Sequence, residues 1–205
     1  GGDKDVSFLK REKEDNPALG WRAIRIALDR PALLRYQLRA LITASAGTTL
    51  NVMFPMITNV TEFQKAKSIL DKELERHRNN NRAMPTDIKV GTMLEVPSLV
   101  WQLDHLLPIV DFISIGSNDL MQFFYAGDRD NPKLNNRYDT IAPPALNMLK
   151  FIVEKCNHHE VPLTLCGEIG GKAIGALALI AIGFRRLSVA PAAIGPVKMM
   201  IRSLD

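Results

Sequence analysis

The sequence alternates between short apolar runs and longer amphipathic stretches, and this alternation limits the fold more than any other feature. Each of the five apolar runs is rich in Val, Ile, Leu or Met and is closed by Pro, Gly, Ser or Asn. The runs are 50–57, 90–96, 112–115, 163–166 and 187–190. Such runs are typical of strands that are buried on both faces of a parallel sheet. The sequence therefore predicts an α/β fold.

Amphipathic stretches with helical spacing lie between and after these runs. The first of them begins with Pro31, where proline favours a helix start, and ends at Gly47. A further short helix is expected to open near Asp119. A strand followed by a helix, five times over, predicts the βα units of a parallel sheet. The predicted helices are 31–46, 61–78, 97–107, 144–158, 172–182 and 194–204.

Two α/β architectures fit this alternation, the open doubly wound sheet and the (β/α)8 barrel. The open sheet usually carries a Gly-rich turn after its first strand, and the sequence contains neither GxGxxG nor GxxxxGK(S/T). A barrel instead collects polar residues from several strand ends at one mouth. Three of the runs do end in such residues, which favours a (β/α)8 TIM barrel. These residues are Glu95, Asn118, Asp119, Cys166 and Glu168.

Five βα units are fewer than a barrel needs, and the chain opens on Gly-Gly-Asp-Lys without an initiator methionine. We expect residues 1–205 to be one partial barrel domain whose first strands lie upstream of Gly1. No internal repeat and no shift of composition marks a second domain.

Charge and cysteine content narrow the class of protein. The 26 basic and 22 acidic residues give a net charge of +4, and like charges do not form blocks. Nucleic-acid binding is therefore not expected, whereas a pocket for a small anion would explain the excess. Two cysteines cannot stabilise a secreted fold of this size, and we expect no signal peptide because no basic-then-apolar segment precedes a small-residue cleavage site. The longest apolar run, 174–184, is too short to span a bilayer. We expect a cytoplasmic protein without a membrane anchor.

Two carboxylates stand out at the strand ends. Glu95 lies among apolar residues, so its charge needs either an arginine partner or a metal ion. Asp119 follows small residues that let the backbone approach a ligand, but Ser117, Asn118 or Asp119 could equally cap a helix. Taken together, two carboxylates from neighbouring strand ends suit Mg²⁺, which binds one or two carboxylates together with substrate oxygens and water.

Arginines are the second set of candidates, because their planar fork binds phosphate and carboxylate through two hydrogen bonds. Most arginines in any sequence are solvated or structural, so that alternative stays open for each one. Arg129 is favoured because it lies ten residues beyond Asp119. The candidates are Arg22, Arg25, Arg39 and Arg129.

The two thiols have different contexts. Cys166 lies at a strand end before Gly167, where it is either a reactive group or a small buried hydrophobe. Cys156 lies in the middle of a predicted helix and is expected to be a core residue. The four histidines lack the spacing of a metal site. Trp21 and Trp101 are expected in the core or in a pocket wall.

The amino-acid order of several segments indicates a particular family more specifically than these general patterns do. The segment 111–122, DFISIGSNDLMQ, followed by Gly-Asp-Arg at 127–129, resembles the signature of the phosphoenolpyruvate-utilising enzymes. Other segments agree in the same order, and the match covers essentially the whole chain. Within the family, the chain resembles the phosphoenolpyruvate-protein phosphotransferases, Enzyme I of the bacterial phosphotransferase system, and is most similar to their nitrogen-regulatory form. The other segments are 1–4 (GGDK), 16–25 (NPALGWRAIR), 53–56 (MFPM), 93–97 (MLEVP) and 165–168 (LCGE).

The resemblance implies a phosphoenolpyruvate-binding barrel that forms a homodimer. In the family, the positions of Glu95 and Asp119 hold Mg²⁺, and the position of Cys166 protonates the enolate of pyruvate. The phosphoryl group passes to a histidine on a separate N-terminal domain and then to a small HPr-like phosphocarrier protein. The substrate-binding positions are Lys4, Arg22, Asn118, Asp119 and Arg129.

The chain departs from the family pattern at three points. None of its four histidines lies in the Thr-Ser-His context of the phosphohistidine, so that domain is expected elsewhere. The family arginine before the Gly-Gly-Asp-Lys turn would lie upstream of Gly1. Lys172 stands where an acidic residue is usual.

Three alternatives remain open from the sequence. The first is the barrel of a pyruvate phosphate dikinase or phosphoenolpyruvate synthase. The second is a metal-dependent aldolase or lyase. The third is a non-catalytic module that senses phosphoenolpyruvate and dimerises.

Overall fold

Five parallel strands form the sheet of the computed structural model, which describes residues 14–134 and 137–204. Each strand pairs with the next strand along the chain, so the spatial order equals the sequence order. This order is that of a barrel wall, whereas a doubly wound sheet reverses its order at a switch point. The predicted α/β class with sequential parallel strands is confirmed. The strands are β1 Thr49–Phe54, β2 Asp87–Leu94, β3 Phe112–Gly116, β4 Leu163–Cys166 and β5 Leu187–Ser188.

Helices follow each strand and cover one face of the sheet. All six predicted helical stretches are helical in the structure, although one of them is divided. The described helices are α1 Ile24–Asp29, α2 Pro31–Ala44, α3 Val60–Asn79, α4 Pro97–Val100, α5 Leu103–Leu106, α6 Ser117–Phe124, α7 Pro143–His158, α8 Glu168–Gly171, α9 Ala173–Ala181 and α10 Pro191–Arg202, with a 3₁₀ turn at Leu107–Ile109. None of the helices in these two ranges is both long and apolar enough to cross a bilayer.

The stretch predicted as one helix over 97–107 is the divided one. It contains α4 and α5, and the break falls at Trp101 and Gln102. The Gln102 side chain donates to the carbonyl of Thr58 and accepts from the backbone N–H of Val60, so it ties this segment to the start of α3. The backbone N–H of Gln102 bonds only three residues back, to Leu99, which tightens the turn. The prediction for Trp101 was also wrong, because its side chain is 80% exposed.

The two faces of the sheet differ in burial. Residues of β1 alternate strictly, with Leu50, Val52 and Phe54 buried against the helices and the residues between them exposed. The strands were expected to be buried on both faces. Within the described residues one face is buried, whereas the residues of the other face range from buried glycines through half-buried side chains to the exposed Met53. We call the other face the open face. It includes Met53, Met93, Ser114, Gly116, Thr164 and Cys166, which the parallel register aligns across four strands.

Between α2 and α3 lies a charged cluster that explains one of the candidate arginines. Arg35 and Arg39 both bind the carboxylate of Glu73, whose side chain is only 1% exposed. The hydrogen bonds from these arginines, the one from Arg39 first, outweigh burial and lower the pKa of Glu73 to about 2. Arg39 is therefore a structural residue that joins two helices, and it takes no part in a site at the strand ends.

Replacing this buried carboxylate should destabilise the fold. Glu73→Gln is expected to lower the free energy of unfolding by roughly 1–3 kcal/mol at pH 7, because charge-assisted hydrogen bonds are lost. Denaturant titration measures this change. Asp71→Asn is the matched control on the same helix. It removes an exposed pair with Lys67 and should cost at most about 1 kcal/mol.

The effect should also depend on pH in a defined direction. The folded-state pKa of Glu73 lies below its unfolded value of about 4.3, so the stabilisation is complete above that value and disappears as the pH falls towards 2. The gap between parent and Glu73→Gln should therefore close in acid. A gap that stays constant from pH 7 down to pH 2.5 would contradict the assignment.

Candidate functional site

The carboxyl ends of β2, β3 and β4 meet at one edge of the sheet and bring the predicted site residues together. Glu95 directly follows β2, Asp119 lies in the first turn of α6 after β3, and Cys166 ends β4. Arg22 reaches this edge from the segment before α1, across 97 positions of sequence. Lys4, the remaining predicted residue, lies outside the described residues.

Asp119 is the centre of an ion-pair cluster. Its Oδ2 lies 3.0 Å from Nη2 of Arg22, and its Oδ1 lies 3.1 Å from Nη1 of Arg129. The Asp119 side chain is 9% exposed, whereas that of Arg129 is 42% exposed. Asp119 Oδ1 is buried and has no partner in hydrogen-bond geometry among the described residues, and the same is true of Nε of Arg22. Two arginine forks and one buried carboxylate with spare acceptor capacity form a polar centre that is not fully satisfied.

The alternative that residues 117–119 merely cap a helix is wrong. The residue at the N-cap of α6 is Gly116, and no side chain caps the helix. Ser117 Oγ instead donates to the carbonyl of Cys166 at 2.8 Å, and Asn118 Oδ1 accepts from the backbone N–H of Glu168 at 3.1 Å. These two bonds tie the end of β3 to the end of β4.

Glu95 is buried and carries no arginine partner within the described ranges. Its Oε1 accepts from the backbone N–H of Met56 at 2.7 Å, and the residue is 5% exposed. Burial raises the pKa of the Glu95 carboxyl to about 7, and the negative charge of Asp119 adds to the rise. The Met56 N–H, Arg22 and Arg129 act in the opposite direction. A carboxyl group with a pKa near neutrality can hold either a proton or a cation.

Two glycines allow this close approach of strand ends. A Cβ on Gly116 would lie 2.6 Å from Oε2 of Glu95. Gly167 has a φ of +123°, and a Cβ there would lie 2.1 Å from Oγ of Ser117. Gly167 is therefore required both by its backbone conformation and by the space that the Ser117 bond occupies.

The two thiols lie in different environments. Cys156 is fully buried in α7, and burial raises the pKa of its thiol to about 12, as expected for a core residue. Cys166 is only partly buried, and its Sγ lies 3.2 Å from the carbonyl oxygen of Ile115. Of the two, Cys166 is the one that faces the cluster side of the sheet.

A cavity of about 540 Å³ opens beside the ion-pair cluster. The cluster contributes Arg129 to its wall, and the helix starts contribute Ser117, Asn118 and Glu168. Lys172, which departs from the family pattern, also lines this cavity. The volume lies within the range of small-molecule sites. Tyr138 forms another part of the wall and stacks on Tyr125 with ring centroids 5.0 Å apart.

The remaining candidates have structural roles. Nη1 of Arg25 donates to the carbonyl of Gly20 at 2.8 Å and also to that of Leu19, so it stabilises the segment that carries Arg22. Trp21, beside Arg22, donates from its indole nitrogen to Asp29 at 2.7 Å. In the described part of the chain, no three His, Cys, Asp or Glu side chains converge as a metal cluster.

Sequence reasoning missed the contribution of Met56. Its backbone N–H holds Glu95, and its φ of +57° turns the chain after β1 towards that carboxylate. The only signal in the sequence is the segment Met-Phe-Pro-Met at 53–56, since a positive φ at methionine cannot be read from residue type.

Comparison with known proteins gives consistent results. A family model described as "PEP-utilising enzyme, PEP-binding domain" matches residues 1–205. The chain is 38% identical over its full length to an Escherichia coli K12 protein named for the phosphoenolpyruvate-dependent phosphotransferase system. It is 39% identical over its full length to a phosphoenolpyruvate-protein phosphotransferase of Bacillus subtilis 168. The chain spans 27% and 36% of these two relatives.

Solved structures support the fold. A citrate lyase from Burkholderia xenovorans LB400 superposes with a TM-score of 0.55 at 19% identity, over 82% of this chain and 52% of that one. A pyruvate kinase from Cryptosporidium parvum superposes with a TM-score of 0.53 at 15% identity, over 93% of this chain and 36% of that one. At these identities the likeness concerns the barrel-type fold alone.

Proposed function

The chain belongs to the phosphoenolpyruvate-utilising enzymes, as their phosphoenolpyruvate-binding domain, and from this premise we propose that it binds phosphoenolpyruvate with Mg²⁺ at the edge formed by β2, β3 and β4. It then supports phosphoryl transfer to a histidine on another domain and releases pyruvate. The observation that carries the proposal is the cluster of Arg22, Asp119 and Arg129. It lies at the same edge of the sheet as Glu95 and Cys166, and its Arg129 also lines the cavity.

The two arginines suit the two anionic groups of this substrate. Phosphoenolpyruvate carries a phosphate and a carboxylate, and an arginine fork can bind either one through paired hydrogen bonds. Arg22 and Arg129 both pair with Asp119, so their two positive charges lie close together at the proposed site. Asn118 lies in the cavity wall as a further polar contact, and Lys4 is part of the proposal through the resemblance alone.

The residues present also fit a magnesium ion. Asp119 has a buried oxygen without a hydrogen bond, and Glu95 is a desolvated carboxyl group whose pKa is raised to about 7. A hard cation of this kind needs only one or two protein carboxylates, because substrate oxygens and water complete its shell. Glu95 and Asp119 would hold it. When bound, Mg²⁺ would neutralise charge that develops on the enolate leaving group.

Cys166 is the proposed proton donor. Loss of the phosphoryl group leaves the enolate of pyruvate, whose methylene carbon must receive a proton. The Cys166 side chain lies on the open face, one strand away from Gly116 and the cluster. A thiol is acidic enough to act as a general acid near neutral pH.

The place of this chain in a longer phosphotransferase is also a proposal. Since the chain spans about a quarter to a third of its curated relatives, the phosphohistidine domain and the phosphocarrier protein are expected outside these 205 residues. We place the protein in the cytoplasm as a homodimer and favour the nitrogen-regulatory form. No observation in the described residues favours the lyase, dikinase or sensor alternatives over this one.

Substitution of Arg129 tests the substrate. Arg129→Lys keeps the charge but removes the planar fork, so phosphoenolpyruvate binding should weaken by roughly 1–3 kcal/mol in calorimetric titration. Arg137→Lys, at an exposed arginine of the same segment, is the control and should leave affinity unchanged. Equal affinity in Arg129→Lys and the control would make Arg129 a structural partner of Asp119.

A pH series tests the metal ligands. Mg²⁺ and a proton compete for Glu95, and with a pKa of about 7 the ionised fraction rises about tenfold between pH 6 and pH 8. Mg²⁺ affinity measured by calorimetry should rise by about the same factor. Asp119→Asn should remove the binding, whereas Asp130→Asn, which removes an exposed carboxylate of the cavity wall, should not. Affinity that does not change between these pH values would exclude Glu95 as a ligand.

The role of Cys166 can be measured without the phosphohistidine domain. A general acid also catalyses the reverse step, so the complete barrel should exchange the methyl protons of pyruvate with deuterated solvent in the presence of Mg²⁺. Cys166→Ser keeps nearly the same volume but replaces the thiol with a much weaker acid. It should slow the exchange by roughly 10²–10⁴-fold while phosphoenolpyruvate binding stays the same. Exchange at the parental rate would make the thiol a packing residue.

A further inference from the structure

Among the described residues, both hydrogen bonds of the Cys166 thiol are made with β3. Its Sγ lies 3.2 Å from the carbonyl oxygen of Ile115 and 3.8 Å from the hydroxyl oxygen of Ser114, which is the donor in that pair. We infer that Ser114 is a positioning residue for the Cys166 thiol and stabilises its sulfur after the proton has left. This inference rests on the proposed function of Cys166 as the proton donor.

Strand geometry explains why Ser114 reaches the sulfur. In the parallel register Ser114 pairs with Thr164, and Gly116 pairs with Cys166. Side chains two residues apart along a strand point to the same face, so all four positions lie on the open face. Ser114 is the diagonal neighbour of Cys166, and Gly116 leaves the space beside the thiol free of a side chain. The hydroxyl is therefore fixed by two paired strands and not by a loop.

The donors and acceptors around the sulfur are complementary. A thiol has one proton to donate, and in this structure it points to the Ile115 carbonyl, while a sulfur lone pair accepts from Ser114. In the proposed step the S–H bond breaks, and the enolate double bond supplies the electron pair for the new C–H bond. The enolate oxygen becomes the ketone oxygen of pyruvate. The thiolate that remains regains a proton from water.

During this step the two contacts of the sulfur change in opposite ways. The Ile115 carbonyl can accept from a thiol but offers nothing to a thiolate. The Ser114 hydroxyl is a donor, and its hydrogen bond becomes stronger when the acceptor is charged. Ser114 thus favours the deprotonated sulfur, which is the form that begins the reverse reaction.

Other hydroxyl groups nearby are engaged elsewhere or make no such bond. Ser117 donates to the backbone carbonyl of Cys166 and not to its sulfur. Thr164 pairs with Ser114 on the same face, and Ser188 pairs with Cys166 from β5. Across residues 14–134 and 137–204, Ser114 is the hydroxyl side chain that contacts Sγ.

The test compares variants of Ser114 in the full-length protein. Ser114→Ala removes the hydroxyl, while Ser114→Thr and Ser114→Val form a pair that differs in the hydroxyl but not in shape. Thr164→Val removes a neighbouring hydroxyl on the same face that does not contact the sulfur, and it is the matched control. If Ser114→Ala does not fold, the Thr and Val pair decides the question.

The readout is alkylation of Cys166 by iodoacetamide as a function of pH. Cleavage after Glu160 and Glu168 releases peptide 161–168, which contains Cys166 but not the buried Cys156. At pH 7–8, Ser114→Ala and Ser114→Val should slow the reaction by about threefold to tenfold, which corresponds to one hydrogen bond of ordinary strength, and should move its pH midpoint upward. Ser114→Thr and Thr164→Val should match the parent. The charged groups near this strand edge are the same in every variant; they are Arg22, Glu95, Asp119, Arg129 and Glu168.

Exchange of pyruvate methyl protons is the second measurement, and it should fall by a similar factor in Ser114→Ala and Ser114→Val. Unchanged alkylation in both variants would overturn the role of Ser114, whether or not the parent catalyses exchange. Absence of exchange in the parent, with alkylation shifted as expected, would instead overturn the role of Cys166 in the proposed function.

Discussion

The parallel pairing of β3 with both of its neighbours is the constraint on which the site depends. It sets Met93 beside Ser114 on one side and Cys166 beside Gly116 on the other. The polar residues that follow β2, β3 and β4 then meet at one edge without any long connection. A shift of this register by one residue would turn Ser114 and Cys166 towards the helices and bring Ile115 and Leu165 to the open face.

The two carboxyl groups at this edge, Glu95 and Asp119, are stabilised against the cost of burial in different ways. Asp119 is compensated by charge, because two arginines converge on it. Glu95 is compensated mainly by one backbone N–H and by the proton that its raised pKa allows it to keep near neutral pH. The site therefore combines a carboxylate that is paired with two arginines with a carboxylate whose charge depends on pH. This division suits the proposed site, which would accept a cation and an anionic substrate together.

Much of the fold could be predicted from the sequence, because buried strands and amphipathic helices have distinct periods. The five strands lie where apolar runs predicted them, although β1 and β2 end earlier than expected, at Phe54 and Leu94. The convergence of Glu95, Asp119 and Cys166 followed from the rule that strand ends of a parallel sheet share one edge. Their chemical roles stay predictions.

Features that arise from tertiary contacts could not be predicted in the same way. Nothing in the sequence around Trp101 indicates the helix break, which depends on the bonds between Gln102 and a distant loop. The turn at Met56 needs a conformation that methionine rarely adopts. Arg39 was predicted as a candidate ligand because its partner, Glu73, lies 34 positions away in the sequence and meets it only in the folded chain.

The unequal placement of the two tryptophans has a practical consequence for spectroscopy. Trp101 lies in water at the break between two short helices, so its fluorescence carries little information about the site. Trp21 is the neighbour of Arg22 in the chain, is hydrogen-bonded to Asp29, and has the guanidinium of Arg30 over its ring at 4.7 Å. We therefore expect its emission to change when the segment that delivers Arg22 to Asp119 moves relative to Asp29 and Arg30. A chain in which Trp101 is replaced by phenylalanine would carry its own optical reporter of that movement, without an added dye.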